Sequence, residues 1–65
     1  MRLKIDDLIK TSGLKHKYIA EKIGISTRTL YKWRKNESFP RLDQAVKLAV
    51  ILKCKVDDLF ELKKL

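Results

Sequence analysis

The side chains that could carry out chemistry are few in this sequence, and their spacing does not suit catalysis. The chain has one histidine, His16, and one cysteine, Cys54, which excludes an internal disulfide and a zinc site built from four His and Cys ligands. The pairs Asp6-Asp7 and Asp57-Asp58 could be catalytic carboxylates, but no nucleophile, metal-ligand set or phosphate-binding loop accompanies them. Such pairs are typical of the first turn of a helix, where carboxylates interact favourably with the helix dipole. We therefore expect no enzymatic activity, no metal and no cofactor.

Positive charge is concentrated in the middle of the sequence. The chain has 16 Lys and Arg against 8 Asp and Glu, which gives a formal net charge of +8. Residues 15–41 hold eight of the basic residues and two glutamates, so this segment alone carries +6. A basic segment between nearly neutral flanks is typical of a protein that binds a polyanion. The alternative is a solvated surface without a charged partner.

The composition is that of a small folded domain. Hydrophobic residues make up 45% of the 65 residues, too many for a disordered basic tail. The longest apolar stretch, residues 45–52, includes Lys47 and is far shorter than the roughly 20 residues that span a membrane. The first ten residues lack the apolar core of a signal peptide. We expect one cytoplasmic domain over residues 1–65 and no membrane partner.

Apolar residues recur at helical spacing almost throughout, which predicts an all-α fold with five short helices. The first helix should end at Gly13 and the second at Gly24, since glycine readily adopts the left-handed conformation that ends a helix. Ser26 is a candidate N-cap for the third helix. Helices two to five are expected at about His16–Ile23, 27–35, Leu42–Leu52 and 56–62.

The third helix presents an outer face that suits the major groove of DNA. The short turn Gly24-Ile25-Ser26 should make the second and third helices cross steeply, with Ala20 at their close approach. The spacing of Trp33 and Phe39 indicates that these two side chains belong to the core and do not stack on DNA bases. The residues left outside are hydrogen-bonding or cationic, apart from one aromatic: Thr27, Arg28, Tyr31, Lys32 and Lys35.

The stretch KHKYIAEKIGISTRTLYKWRKNESFP, followed by LDQAVKLAVILKCKVDDLF, resembles the Cro/CI-type helix-turn-helix repressors of the XRE family. Ala20, Gly24, Leu30 and Trp33 lie at the signature spacings of that motif. The resemblance implies a lambda-repressor-like DNA-binding domain with its helix-turn-helix at helices two and three. It also implies a sequence-specific regulator of transcription that binds double-stranded DNA, a repressor of the phage, prophage or mobile-element type.

Matching positions imply which residues contact DNA. Thr27, Arg28 and Lys32 would contact base edges, and Arg28 would suit guanine because its two donors match O6 and N7. His16 occupies a place usually held by a glutamine that contacts phosphate. Together, the residues expected at the DNA backbone are Lys15, His16, Lys17, Ser26, Tyr31, Lys35, Ser38 and Arg41.

The chain departs from the family pattern at several positions. Family members often pair an arginine in the first helix with a glutamate late in the third. Here Ile9 and Arg34 occupy those places, so we expect apolar packing instead of the ion pair and a free Arg34. The usual Ser or Thr N-caps are replaced by Lys15, Arg41 and Lys55, at a cost of about 1 kcal/mol each. Lys53 stands where glycine is common.

The resemblance also implies a homodimer on DNA, with half-sites about 34 Å apart. Candidate interface residues are Cys54, Val56, Leu59 and Phe60, with Leu62 and Leu65, although these side chains could instead belong to the core. For Cys54 we expect a buried, unreactive thiol. The alternative function is a protein-interaction module, such as an antitoxin or the target of an anti-repressor protein, that uses the same fold as a scaffold.

Overall fold

The computed structural model describes residues 2–61. Four α-helices follow one another, and two very short strands pair antiparallel, with Leu3 opposite Phe60. The predicted small helical domain and the bounds of its second and fourth helices are confirmed, whereas the third helix ends one residue earlier than expected. In chain order the elements are β1 (Arg2–Leu3), α1 (Ile5–Ser12), α2 (His16–Ile23), α3 (Thr27–Arg34), α4 (Leu42–Leu52), a 3₁₀ helix (Val56–Leu59) and β2 (Phe60–Glu61).

The prediction of a fifth helix over 56–62 is wrong. Only a four-residue 3₁₀ helix forms, and Phe60 is already extended, with φ −125° and ψ 146°. The backbone explains the early end, because the carbonyl of Leu59 accepts a hydrogen bond from the N–H of Lys4 at 2.8 Å and the next residues pair with β1. Partners across the chain thus replace those that a continuing helix would supply.

One hydrophobic core holds the elements together. Trp33 is buried in it, as predicted, but Phe39 is 53% exposed, so its placement in the core was wrong. The helical spacing used for Phe39 does not apply beyond the end of α3, and the residue lies in the loop before α4. The buried apolar residues are Leu3, Ile5, Ile9, Ile19, Ala20, Ile23, Leu30, Trp33, Ala45, Leu48, Ala49 and Leu59.

The predicted dimer-interface residues lie largely within this single-chain core. Leu59 is fully buried, so its side chain offers no surface to a second copy. The side chains of Cys54, Val56 and Phe60 are half-buried and pack against the same core. Two further candidates, Leu62 and Leu65, lie outside the described residues.

Three of the helices end at a residue in the left-handed backbone conformation. Gly13 and Gly24 have φ of 75° and 88° and end α1 and α2 as predicted. Lys53 ends α4 with φ 55°, a conformation that strains a residue with a side chain. Asn36, at φ 62°, lies just beyond α3, and its Oδ1 accepts a 2.6 Å hydrogen bond from the N–H of Leu3. This bond ties β1 to the end of α3.

Two of the three replaced N-caps, Arg41 and Lys55, are supported from within their own helices, whereas the N-cap Lys15 makes no side-chain cap bond. Arg41 and Lys55 cannot offer a side-chain acceptor, but their backbone N–H groups donate to the side chains of Gln44 and Asp58, at 2.8 and 3.0 Å. Each helix therefore keeps the half of a capping box that its third residue supplies.

Across residues 2–61, no helix is long and apolar enough to cross a membrane.

Candidate nucleic-acid interface

The helix-turn-helix is fixed by buried residues on both of its helices. Ala20 on α2 and Leu30 on α3 are almost completely buried where the two helices meet. Gly24 turns the chain, and its N–H and that of Ile25 both donate to the carbonyl of Ala20, each at 3.0 Å. The side chain of Ser26 accepts from the N–H of Thr29 at 3.1 Å, which confirms the predicted N-cap of α3.

The outer face of α3 is exposed over its whole length. Tyr31 lies at its middle with half of its side chain exposed, and the Nζ of Lys35 lies 5.5 Å from the centre of its ring. This cation–π contact holds Lys35 along the helix surface. All five residues expected on the DNA-facing side are exposed: Thr27, Arg28, Tyr31, Lys32 and Lys35.

The residues expected at the DNA backbone differ in how freely they are presented. Lys15, Lys17 and Ser26 are exposed around the start of α2 and of α3, and Arg41 is exposed at the start of α4. The Arg41 guanidinium lies 3.4 Å from the carboxylate of Asp43. Because this ion pair is exposed and weak, a phosphate could take the place of Asp43 as the partner of Arg41. His16 and Ser38 are half-buried. The DNA contacts of all these residues stay predictions.

Arg34 is not free, and the expected loss of the ion pair between α1 and α3 is wrong. Its Nε donates to Oδ1 of Asp6 at 2.6 Å, and its side chain is 19% exposed. The partner position on α1 is Asp6 rather than Ile9, which is buried in the core. The pair therefore joins the same two helices as in the family pattern, but the acid is on α1 and the base on α3.

The charges around Asp6 favour its ionised form. Hydrogen bonds from Arg34, and secondly from Lys10, lower the pKa of the Asp6 carboxyl, against a smaller opposing effect of burial. The Nζ of Lys10 lies 3.1 Å from Oδ2 of Asp6, one helical turn away on α1. Asp6 thus stays a charged anchor for Arg34 throughout the neutral range.

His16 connects this ion pair to the start of α3. Its Nδ1 lies 3.0 Å from Nη1 of Arg34, and its Nε2 lies 2.8 Å from the carbonyl oxygen of Thr27. A guanidinium can only donate and a carbonyl can only accept, so Nδ1 must accept and Nε2 must carry the proton. Both ring nitrogens are therefore occupied by protein groups, and a phosphate could reach His16 only by displacing one of them.

Sequence reasoning missed Asp6 and Arg34 as supports of this site. The residues are 28 positions apart, and the family pattern led to the expectation of a base on the first helix and an acid on the third. A search for opposite charges of either order on these two helices would have found the pair, because Asp6 is acidic and Arg34 is basic. His16 was identified, but with a phosphate as its only partner.

The fold is similar to two solved structures of transcription regulators. The SOS-response transcriptional repressor LexA from Eubacterium rectale superposes with a TM-score of 0.80 at 33% identity, over 94% of this chain and 65% of that one. A transcriptional regulator from Listeria innocua gives a TM-score of 0.77 at 21% identity, over 100% of this chain and 65% of that one. The chain thus spans just under two thirds of the length of each of these solved chains.

No curated protein compared with the chain matches it. A family of DNA-binding domains does match, and the match runs from residue 4 to residue 64, which includes the helix-turn-helix and all four α-helices. The family match and the geometry of α2 and α3 both identify a helix-turn-helix domain. The chain belongs to the family of Cro/C1-type helix-turn-helix DNA-binding domains.

Proposed function

We propose that this protein is a repressor of transcription that reads a specific double-stranded DNA sequence with α3 in the major groove. The exposed face of α3 carries the proposal, because its outward side chains are hydrogen-bonding or cationic while Leu30 and Trp33 hold the helix to the core. Thr27, Arg28 and Lys32 would contact base edges. Arg28, with two donors in a fixed geometry, is the residue best suited to guanine.

The surrounding basic residues would fix the position of the domain on the DNA backbone. Lys15, Lys17, Lys35 and Arg41 are exposed and belong to the segment that carries +6. Hydrogen bonds from the hydroxyls of Ser26, Tyr31 and Ser38 to phosphates would help to orient the domain on the DNA without distinguishing its sequence. His16 would act indirectly, by holding the carbonyl of Thr27 and thereby the start of α3.

The resemblance to Cro/CI-type repressors supports a repressor role and a phage, prophage or mobile-element setting, and the similar LexA protein is itself named a repressor. We further propose that the protein binds DNA as a homodimer. Two copies would then read half-sites about 34 Å apart, one turn of the double helix.

The experiment that tests the proposal is selection of bound DNA from a random pool, followed by affinity measurements on the selected sequence. We expect a palindromic site whose affinity falls with salt, with about −0.9 in the log–log slope for each phosphate contacted. If no sequence is enriched, the alternative of a protein-interaction module replaces the proposal.

Two variants separate base reading from backbone binding. Arg28→Ala should lose about 1–3 kcal/mol of binding free energy on the selected site and relax the preference at one base pair. Lys35→Ala should weaken binding to every sequence alike and make the salt slope shallower by about 0.9. Lys10→Ala, a change of the same charge outside residues 15–41, is the matched control. An unchanged footprint with both Arg28→Ala and Lys35→Ala would refute α3 as the recognition helix.

A further inference from the structure

The outer face of α4 carries an apolar stripe that the single chain leaves uncovered. Leu42, Val46 and Val50 are 77%, 45% and 72% exposed. They follow one another at intervals of four residues, so they form one line about 12 Å long on the helix. The adjacent side of α4 is already used, because Ala45, Leu48 and Ala49 face the core. A helix whose apolar surface extends well beyond the side that faces its own core is typical of one that is covered by a further partner.

The two ends of this stripe differ in shape. At its carboxyl end lies an open groove of about 330 Å³, lined by Lys22, Val46, Lys47, Val50 and Ile51. At its amino end lies Leu42, the most exposed large apolar side chain of the described residues. One end of the face therefore offers a projecting side chain, and the other end offers a place to receive one.

Charges lie along one edge of the stripe in a self-complementary order. Asp43 and Lys47 are exposed and one helical turn apart, and Lys22 on α2 adds a second cation at the groove. If two α4 helices pack antiparallel about a two-fold axis near Val46, Asp43 of each copy lies toward Lys47 of the other. A parallel packing would put the two charged edges on opposite sides of the contact, where they could not pair.

We propose that this face of α4 is the interface with a second copy of the chain, packed antiparallel. In this arrangement Leu42 of each copy lies against Val50 and enters the groove of the other, so that every contact occurs twice, as in an isologous dimer. The present contact of Asp43 with Arg41 does not oppose it, because both side chains are exposed and such pairs contribute little. The surface is small, so the dimer of the free protein should be weak.

Sedimentation of the full chain without DNA tests the interface, so that its failure and a failure of DNA binding can be told apart. The wild type should associate as its concentration approaches the millimolar range. Val50→Asp, a change at an exposed position, should raise the dissociation constant of the dimer at least tenfold while the circular dichroism spectrum stays unchanged. Val56→Ala, at the half-buried position first expected at the interface, should leave the dissociation constant within twofold.

A charge exchange tests the antiparallel arrangement. Asp43→Lys and Lys47→Asp should each abolish association when studied alone, because two like charges then face each other twice. An equimolar mixture of the two variants should associate again, since every lysine then meets an aspartate of the other copy. A wild type that stays monomeric at millimolar concentration would overturn the proposal. It would also be overturned by a Val50→Asp variant that associates like the wild type, or by a mixture that stays monomeric.

Discussion

Removal of the carboxylate of Asp6 should destabilise the domain more than any other single loss of a surface charge on α1. Its bond to Arg34 is short, with Nε and Oδ1 2.6 Å apart, and the side chains of Asp6 and Arg34 are 34% and 19% exposed. Exposed ion pairs contribute about 0–1 kcal/mol, whereas breaking a fully buried pair costs about 3–5 kcal/mol. For this intermediate exposure we expect Asp6→Ala to lower the free energy of unfolding by about 1.5 kcal/mol. In a domain of this size that corresponds to a Tm lower by about 6–12 °C.

Lys10 provides the matched control, because it contacts the same carboxylate from an exposed position. Its Nζ lies 3.1 Å from Oδ2 of Asp6, but its side chain is 68% exposed. Lys10→Ala should therefore cost no more than about 0.5 kcal/mol. A double-mutant cycle of Asp6→Ala with Arg34→Ala should give a coupling energy of about 1 kcal/mol. Urea denaturation followed by the fluorescence of Trp33, which is buried in the folded chain, measures all of these quantities.

The effect should also depend on pH. Arg34 and Lys10 lower the pKa of Asp6 in the folded state, so the carboxyl contributes a stability that is complete above its unfolded pKa and is lost as the pH falls through its folded pKa. The difference in stability between the wild type and Asp6→Asn should thus be largest at pH 7 and shrink as the pH falls below 4. The reasoning is refuted if Asp6→Ala costs no more than Lys10→Ala at pH 7, or if the difference from Asp6→Asn is the same at pH 7 and at low pH.

Three further outcomes are expected. Lys53→Gly should raise the free energy of unfolding by about 0.5–1 kcal/mol in urea denaturation, because Lys53 has φ 55°; a destabilised variant would contradict this. The ring of His16 should carry its proton on Nε2 at pH 8, as read from its ¹⁵N chemical shifts, and Arg34→Ala should shift the Nδ1 signal; a proton on Nδ1 would exclude the contact with Thr27. Burial, and secondly Asp58, raise the pKa of the Cys54 thiol, so alkylation at pH 8 should be at least tenfold slower in the folded chain than in urea, and equal rates would show a freely exposed thiol.

Local signals predicted the helix-turn-helix well. Gly24 and Ser26 act within a few residues of where they stand, by ending α2 and capping α3, and the sequence alone contains that information. The exposed face of α3 followed from the same bounds, because a helix with Leu30 and Trp33 buried must turn the residues of its far side outward, among them Arg28 and Lys32. The part of the site that depends on local geometry could therefore be predicted.

The remaining features depend on contacts between residues that are far apart in the sequence. Asp6 and Arg34 form a hydrogen bond although they are 28 positions apart, and no periodic pattern in the sequence predicts which side chains of two different helices will pair. The early end of the last predicted helix was missed for the same reason, because the carbonyl of Leu59 accepts a hydrogen bond from the N–H of Lys4, near the other end of the chain. Phe39 lies beyond α3, where helical spacing no longer describes the direction of a side chain.

The pairing of β1 with β2 brings the two ends of the described chain together. Leu3 lies opposite Phe60, so the first and the last described elements are neighbours in space. A short glycine linker could join these two ends, and new ends could be opened between Glu37 and Ser38, in the loop that separates α3 from α4. Circular permutation is best tolerated at such loops. The order in which the helices are connected could therefore be changed while the face that α3 presents is kept.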